Sequence, residues 1–257
     1  MGDGGRHYVY GLHAVAAVLS NSPERVLELS LKEPRADQRA QAVKDAAQAA
    51  GVRAQIVAPD VLSKFVGDVA HQGVVARLTP LAAWNDDQLF EHLDALDRPA
   101  FLLVLDGVTD PHNLGACLRS ADAAGVDAVV IPKDRSAGVD GVVRKVAAGA
   151  AEAVPVAAVT NLARTLDALK ARNIWVVGLD GAAEKSLHAA DLTGALALVL
   201  GAEGEGMRRL TRERCDFLVS IPMAGQVESL NVSVSAGVAL FEAVRQRRRQ
   251  APGSANG

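Results

Sequence analysis

The pattern of apolar and polar residues changes near residue 100. From there to residue 221, short and nearly continuous apolar runs alternate with stretches of helical periodicity. Such runs, separated by helices, are typical of strands buried on both faces of a mostly parallel sheet. The pattern therefore predicts a C-terminal α/β domain over residues 101–249. Its predicted strands are Phe101–Leu105, Ala128–Ile131, Val154–Ala158, Ile174–Leu179, Ala195–Leu200 and Phe217–Ile221.

A last helix is predicted over residues 231–247, followed by a disordered tail from residue 251. Its apolar positions Val234, Val238 and Phe241 recur at helical spacing. Four arginines cluster between residues 245 and 249. Two interpretations of this cluster stay open: a favourable interaction with the helix dipole and solvent, or contact with RNA.

The first part of the chain reads as a second, smaller α/β unit over residues 6–79. Residues 80–100 mix charged residues with prolines, which predicts a linker that carries a short helix. In the small unit the predicted helices are Gly11–Leu19 and Ala36–Ala50, the latter capped by Gly51, and the predicted strands are Val26–Leu31, Val52–Ala58 and His71–Leu78.

Composition narrows the class of protein. Hydrophobic residues make up 49% and charged residues 22% of the chain, as in soluble globular proteins. The two cysteines provide neither a disulfide framework nor a metal-ligand cluster, and no apolar run suggests a secretory signal or a membrane helix. We therefore expect a cytoplasmic protein without a metal. The net charge of −3 requires any RNA site to be a local basic patch.

Three polar, glycine-bearing segments each follow a predicted strand, where parallel α/β sheets bind their ligands. The first, residues 106–119, lacks the G-x-G-x-x-G fingerprint of dinucleotide-binding folds and instead contains Asn113-x-Gly115-x-x-x-Arg119. Gly115 would let a ligand or another chain segment approach closely. If the helix starts near Asn113, that residue could simply be its N-cap, and Arg119 a surface charge.

The other two segments follow later strands. Residues 200–207 hold three glycines in six positions, which exposes backbone amides to a ligand, and they are not a P-loop because no Gly-Lys-Ser/Thr is present. Residues 221–237 lead into the last helix with valines in its first turn, a choice that helix propensity alone does not favour.

Together, and in this order, the three segments resemble the three motifs of the SpoU family of S-adenosylmethionine-dependent RNA ribose methyltransferases, over about residues 101–247. Residues 10–15 and 71–76 resemble the small, ribosomal-protein-like substrate-binding domain of the branch that methylates a guanosine in large-subunit ribosomal RNA. The resemblance implies an enzyme that uses S-adenosylmethionine to methylate a guanosine ribose 2′-hydroxyl in 23S ribosomal RNA. It also implies a C-terminal domain folded into a deep trefoil knot, through which the protein forms a homodimer.

The resemblance also assigns roles to individual residues. It places the cofactor against Gly201, Ile221 and Leu230, held largely by backbone groups, with the missing Cβ of Gly201 letting the main chain meet the cofactor. The catalytic candidates that match the family motifs are Asn113, Arg119, Glu203, Ser229 and Asn231.

Among these candidates, Arg119 is the one the family places at the reactive hydroxyl. Because a guanidinium stays protonated, our hypothesis is that Arg119 binds the substrate phosphate and stabilises developing alkoxide charge, rather than acting as the base. Glu203 is expected to organise the glycine-rich segment rather than to remove the proton. His112 and Cys117 lie in the first motif, but we assign neither a catalytic role.

Two alternatives remain open on the sequence. One is a sister enzyme that methylates the ribose of transfer RNA, and the other is an RNA-binding protein that uses the same scaffold without catalysis. The N-terminal unit favours ribosomal RNA as the substrate, and no motif residue departs from the family pattern.

Overall fold

The computed structural model describes residues 7–32, 38–67, 69–79, 82–139 and 141–250. The chain divides into two compact units, Met1–Ala82 and Ala83–Gly257. The predicted tail from residue 251 and the first residues of the predicted helix Ala36–Ala50 lie outside the described residues.

The first unit is a four-stranded sheet with helices. Its strand order is β1-β4-β2-β3, in which β3 runs parallel to β2 and the other neighbours are antiparallel. Leu29, Val15 and Val43 meet in its apolar core, which lies between the sheet and the first two helices. The elements are β1 (His7–Tyr10), α1 (Leu12–Asn21), β2 (Val26–Lys32), α2 (Gln38–Ala49), β3 (Ala54–Val57), α3 (Pro59–Val66) and β4 (Val74–Leu78).

Two elements of this unit, β1 and α3, are not among the predicted ones and are only four and eight residues long. The predicted strand His71–Leu78 begins later, at Val74, because the positive φ angles of Gln72 (52°) and Gly73 (82°) form a turn before it. β4 also lies inside the sheet, between β1 and β2.

The second unit is a six-stranded sheet in which every neighbouring pair is parallel, in the order β10-β8-β9-β5-β6-β7. All six strands predicted from the apolar runs are present, which confirms the α/β class. The strands are β5 (Phe101–Asp106), β6 (Ala128–Pro132), β7 (Val156–Val159), β8 (Trp175–Leu179), β9 (Leu196–Gly201) and β10 (Phe217–Val219). The helices are α4 (Asp86–Asp94), α5 (Pro111–Ala124), α6 (Gly141–Ala147), α7 (Ala150–Ala153), α8 (Leu162–Lys170), α9 (Arg209–Arg214) and α10 (Val232–Gln250).

Both faces of this sheet are covered, as the continuous apolar runs predict. Because side chains alternate along a strand, Leu103 packs on the face that holds α5 and α10, while Leu102 packs on the face that holds α4 and α8. Each fully buried leucine contributes about 1.5–3 kcal/mol to folding.

Residues from the predicted linker pack within the second unit. The Trp84 backbone exchanges hydrogen bonds with β7 through Val156 and Ala158, each of 2.8 Å. Asn85 and Gln88 then form a capping box that starts α4.

The first helix after β5 starts earlier than the sequence analysis expected. α5 begins at Pro111, and its N-cap is Asp110, whose carboxylate accepts a hydrogen bond from the His112 backbone at 3.0 Å. Asn113 is therefore not the N-cap, and its side chain is available for other contacts.

The buried face of the last helix does not include Val234 and Phe241, two of the apolar residues from which the helix was predicted. Small and branched residues, among them Ala236, Ala239 and Leu240, form the buried face, whereas Val234 is 49% and Phe241 48% exposed. Among the described residues, no helix has the length and apolar character needed to cross a membrane.

Two of the arginines at the end of α10 are held by groups of this unit. Arg247 donates to the carbonyls of Ala100 and Gly194, at 3.1 and 2.6 Å, and its guanidinium lies 4.2 Å from the centre of the Phe101 ring. Arg245 pairs with Glu242. These contacts favour a structural role for both arginines.

Candidate active site

A cavity of about 630 Å³ opens at the carboxyl ends of β8, β9 and β10. Its walls come from three segments: residues 179–181 after β8, 200–206 after β9 and 221–235 after β10. Its size and position are those expected for a small-molecule site in a parallel α/β sheet.

The glycine-rich loop after β9, residues 201–207, forms one wall. It closes on itself through two backbone hydrogen bonds between Ala202 and Gly206, of 3.2 and 2.9 Å. A Cβ on Gly201 would lie 1.9 Å from the carbonyl carbon of Gly206 and 2.1 Å from the nitrogen of Met207. The return of its own loop thus requires a glycine at residue 201, and the contact of Gly201 with the cofactor stays a prediction.

Asn113, Glu203 and Asn231 come together beside this cavity, although they belong to three different segments. The Asn113 amide donates to Glu203 Oε1 at 3.2 Å. The Asn231 amide donates to Asn113 Oδ1 at 2.9 Å and also to Glu203 Oε1. We call these three residues the motif cluster, since they join all three glycine-bearing segments.

The motif cluster also caps the last helix. The backbone nitrogen of Val232 donates to Glu203 Oε1 at 3.3 Å, and that of Ser233 donates to Asn231 Oδ1 at 2.9 Å. A carboxylate at a helix N-terminus is stabilised by the helix dipole. Glu203 therefore accepts three hydrogen bonds that link the glycine-rich loop to α5 and to the start of α10.

The remaining predicted residues fall into two groups. Ile221, Ser229 and Leu230 line the cavity, as do Gly201 and Glu203. Arg119 does not line it. Arg119 lies on α5 six residues beyond Asn113, about 9 Å along the helix axis.

The Arg119 side chain is exposed and, within the described ranges, forms no hydrogen bond or ion pair. Gly115 packs against a helix, since a Cβ there would lie 2.7 Å from the Val146 Cβ and 2.8 Å from the Val143 oxygen.

Two acidic residues of the cavity were missed by the sequence analysis, Asp180 and Glu228. Asp180 could have been found, because it directly follows the predicted strand Ile174–Leu179. A 2.6 Å hydrogen bond from Arg212 lowers the pKa of Asp180, and the Ala182 backbone also donates to it.

The charge of the cavity suits a cationic ligand. With Glu203, three carboxyl side chains line it, and none of the described lining residues is lysine or arginine. A sulfonium cofactor carries a positive charge at its reactive centre, so the residues present fit such a group.

Cys117 is buried in the apolar core on α5, and burial raises the pKa of its thiol to about 12. Its thiol therefore stays protonated at neutral pH. In the described part of the chain, no group of three or more His, Cys, Asp or Glu side chains is placed to hold a metal ion.

Comparison with known proteins relates both units to RNA methyltransferases. Residues 100–241 match the model of the SpoU rRNA Methylase family, and residues 8–84 match that for RNA 2'-O ribose methyltransferase substrate binding. The chain is 56% identical over 239 residues to the 23S rRNA (guanosine-2'-O-)-methyltransferase RlmB of Pectobacterium atrosepticum, an alignment that covers 93% of this chain and 98% of the relative. It is 55% identical, with the same coverage, to RlmB of Escherichia coli.

A solved structure shows a similar fold. The crystal structure of the SpoU methyltransferase AviRb from Streptomyces viridochromogenes, in complex with the cofactor AdoMet, superposes with a TM-score of 0.75 at 26% identity. The match covers 95% of this chain and 92% of that chain.

Proposed function

Because the chain belongs to the SpoU rRNA methylase family, we propose that it transfers the methyl group of S-adenosylmethionine to a guanosine ribose 2′-hydroxyl in 23S ribosomal RNA. Membership confirms the resemblance predicted from the three motifs. The observation that carries the proposal is the 56% identity to RlmB over 93% of the chain, including the N-terminal unit.

S-adenosylmethionine supplies an electrophilic methyl group when it is bound. In this chain, Gly201 at the end of β9, Ile221 after β10 and Leu230 before α10 line the cavity and would hold the cofactor largely through backbone groups. The acidic lining favours a positively charged ligand. The motif cluster ties two of the cavity segments, 200–206 and 221–235, to α5.

The residues contribute to catalysis mainly by positioning. A ribose hydroxyl is a poor nucleophile, and correct alignment of the reacting groups can lower the barrier by about 7–11 kcal/mol. Asn113 and Asn231 orient the ribose or hold the motif loops, and Ser229, an exposed cavity residue, relays a hydrogen bond. Glu203 organises the loops through its three donors.

Arg119 acts on the RNA rather than on the cofactor. Its guanidinium binds a substrate phosphate and stabilises the charge that develops on the ribose oxygen, while a phosphate oxygen or a water removes the proton. Its exposure, its lack of a partner among the described residues and its absence from the cavity lining support this role.

The protein also forms a homodimer through its C-terminal domain, which is folded into a trefoil knot, and it works in the cytoplasm. The support for the dimer is the exposed apolar surface of α10, where Val234 and Phe241 face solvent while the small residues of the helix face the core. The two side chains are seven residues apart and so lie on one side of the helix, where their apolar surface is available to a partner subunit.

One experiment tests the substrate class. The purified protein is incubated with methyl-labelled S-adenosylmethionine in three separate reactions. Each reaction contains one unmodified RNA: 23S ribosomal RNA, 16S ribosomal RNA or transfer RNA. Label in 23S RNA alone is the expected result. Label in transfer RNA alone would support the methyl-transfer reaction but reject 23S RNA as the substrate. Binding of the cofactor without methyl transfer to any RNA would favour an RNA-binding protein that lacks catalysis.

A further inference from the structure

Asp106, the last residue of β5, is a buried carboxylate next to the glycine-rich loop. It is 1% exposed and lies in register with Gly201 on β9. Both of its oxygens are bonded to Arg208, the residue that follows the loop. Oδ2 accepts from the Arg208 backbone nitrogen at 2.9 Å, and Oδ1 accepts from the side-chain Nε at 2.6 Å.

These contacts place Asp106 at the base of the loop. The chain leaves β9 at Gly201, turns through the Ala202–Gly206 bridge and returns to Arg208, where Asp106 holds it. The motif cluster holds the same loop from the other side, through Glu203. Two hydrogen-bonded carboxylates thus fix the loop that lines the cavity, Asp106 where the loop ends and Glu203 within the loop.

A buried carboxylate is costly unless it is paired and hydrogen-bonded, so the contacts to Arg208 stabilise the loop as well as the charge. Asp106 does not itself line the cavity. Asp106 can therefore affect cofactor binding only indirectly, by fixing the conformation of the loop that precedes Arg208.

We propose that Asp106 is a positioning residue that holds loop 201–207 in the conformation that binds S-adenosylmethionine. The inference rests on the proposed function, because it assigns the loop to that cofactor.

The chain offers a matched control in Asp127. Its side chain is also buried and is also bonded to one arginine and one backbone nitrogen, those of Arg98 and Phe101. Asp127 directly precedes β6 and contacts the first residue of β5, at the amino end of these strands, whereas the cavity lies at the carboxyl ends of the strands. Asp127→Asn therefore removes a similar buried pair without touching the loop.

The test compares Asp106→Asn with Asp127→Asn and the wild-type protein. We measure the Kd of S-adenosylmethionine by calorimetry, the melting temperature, and amide hydrogen exchange of residues 202–207 without cofactor. Asp106→Asn should raise the Kd by about tenfold or more, since an amide cannot replace a hydrogen-bonded charge, and should speed exchange in the loop. Asp127→Asn should lower the melting temperature while the Kd changes by less than about twofold.

A second variant separates the two contacts. Arg208→Ala loses the side-chain pair but keeps the backbone hydrogen bond to Asp106, so its Kd should lie between those of the wild type and Asp106→Asn. In turnover, the KM for S-adenosylmethionine should rise in both variants while the KM for RNA stays unchanged. Arg208→Lys, which can still pair with Asp106, should restore part of the affinity.

The outcomes are distinct. Wild-type protein that fails to bind S-adenosylmethionine would contradict the proposed function. Wild-type binding with an unchanged Kd in Asp106→Asn would overturn the role of Asp106. If Asp106→Asn does not fold, Arg208→Ala serves as the test. A raised Kd for S-adenosylmethionine with faster amide exchange in the loop would support the role of Asp106, and wild-type values for both quantities would reject it.

Discussion

Asn113, Glu203 and Asn231 meet within hydrogen-bond distance, although Asn113 and Asn231 are 118 residues apart in the sequence. The sequence could predict that each follows a strand, and the carboxyl ends of parallel strands share one edge of the sheet. Spacing alone could not predict that they bond to one another, because that depends on the strand order. The roles of Gly201 and Asp106 could not be predicted from the sequence either, because both depend on where the glycine-rich loop returns to the sheet.

Replacing Arg119 should impair methyl transfer to RNA without weakening the binding of the cofactor. Arg119→Ala should lower kcat by about 100-fold or more, as expected when a stabilising donor is lost from the transition state. The Kd of S-adenosylmethionine should stay within about twofold, because Arg119 does not line the cavity. Arg164→Ala, which removes an exposed arginine of α8, is the control. Near-normal turnover in Arg119→Lys would argue against any role that needs the forked guanidinium.

Because the glycine-rich loop returns so close to Gly201, adding one methyl group at this residue should lower the stability of the protein. Gly201→Ala places a Cβ against backbone atoms that cannot move aside, so it should destabilise the protein by about 1–3 kcal/mol and weaken cofactor binding. Gly194→Ala, at a position with open space around the added Cβ, should change neither quantity. Denaturant unfolding and calorimetry measure the two effects. Equal stability of the two variants would show that the loop tolerates a Cβ at residue 201.

At the scale of elements, the apolar runs predicted all six strands of the second unit to within two residues at each end. They did so because strands buried on both faces are continuously apolar. The short elements β1 and α3 were missed because four to eight residues carry too little periodicity to identify. In α10, alanines form most of the buried face, and of the three apolar positions that predicted the helix, Val238 packs against the core while Val234 and Phe241 are exposed.

Glu242, near the middle of α10, should make the stability of the protein sensitive to acid. Hydrogen bonds from Arg245 lower the pKa of Glu242 to about 2, with further contributions from Gln246 and His188. A carboxyl group with a lower pKa in the folded state stabilises the protein fully above its ordinary pKa, near 4.5, and loses that contribution as the pH falls towards 2.

Glu242→Gln should therefore reduce the loss of unfolding free energy between pH 4.5 and pH 2, measured by denaturant titration at each pH. Glu213→Gln, which removes an exposed pair with Arg209, should leave that loss as in the wild type. Identical pH dependence in wild type and Glu242→Gln would refute the assignment.

At the scale of the whole molecule, the sequence anticipated an α/β catalytic unit preceded by a smaller α/β unit, and the family matches follow that order. The acidic net charge of −3 did not indicate an RNA enzyme. We therefore expect recognition of RNA to rest on local groups, with Arg119 as the proposed one, rather than on the field of the whole protein. The knot and the dimer stay predictions.

The proposed dimer has a direct test. Val234→Glu places a charge on the exposed apolar surface of α10 and should convert the dimer to a monomer in light scattering coupled to size exclusion. Leu210→Glu changes an equally exposed leucine on α9 and should leave the dimer intact. A wild-type protein that is monomeric at micromolar concentration would exclude the dimer.

The most direct test of the proposed activity is to map the methyl group on the RNA. Unmodified 23S ribosomal RNA is incubated with the protein and S-adenosylmethionine and then read by primer extension at low nucleotide concentration, which stops at 2′-O-methylated riboses. We predict a new stop at a single guanosine, absent without the cofactor and lost with Arg119→Ala. Methylation of a base, or of ribose in transfer RNA but not in 23S RNA, would contradict the account.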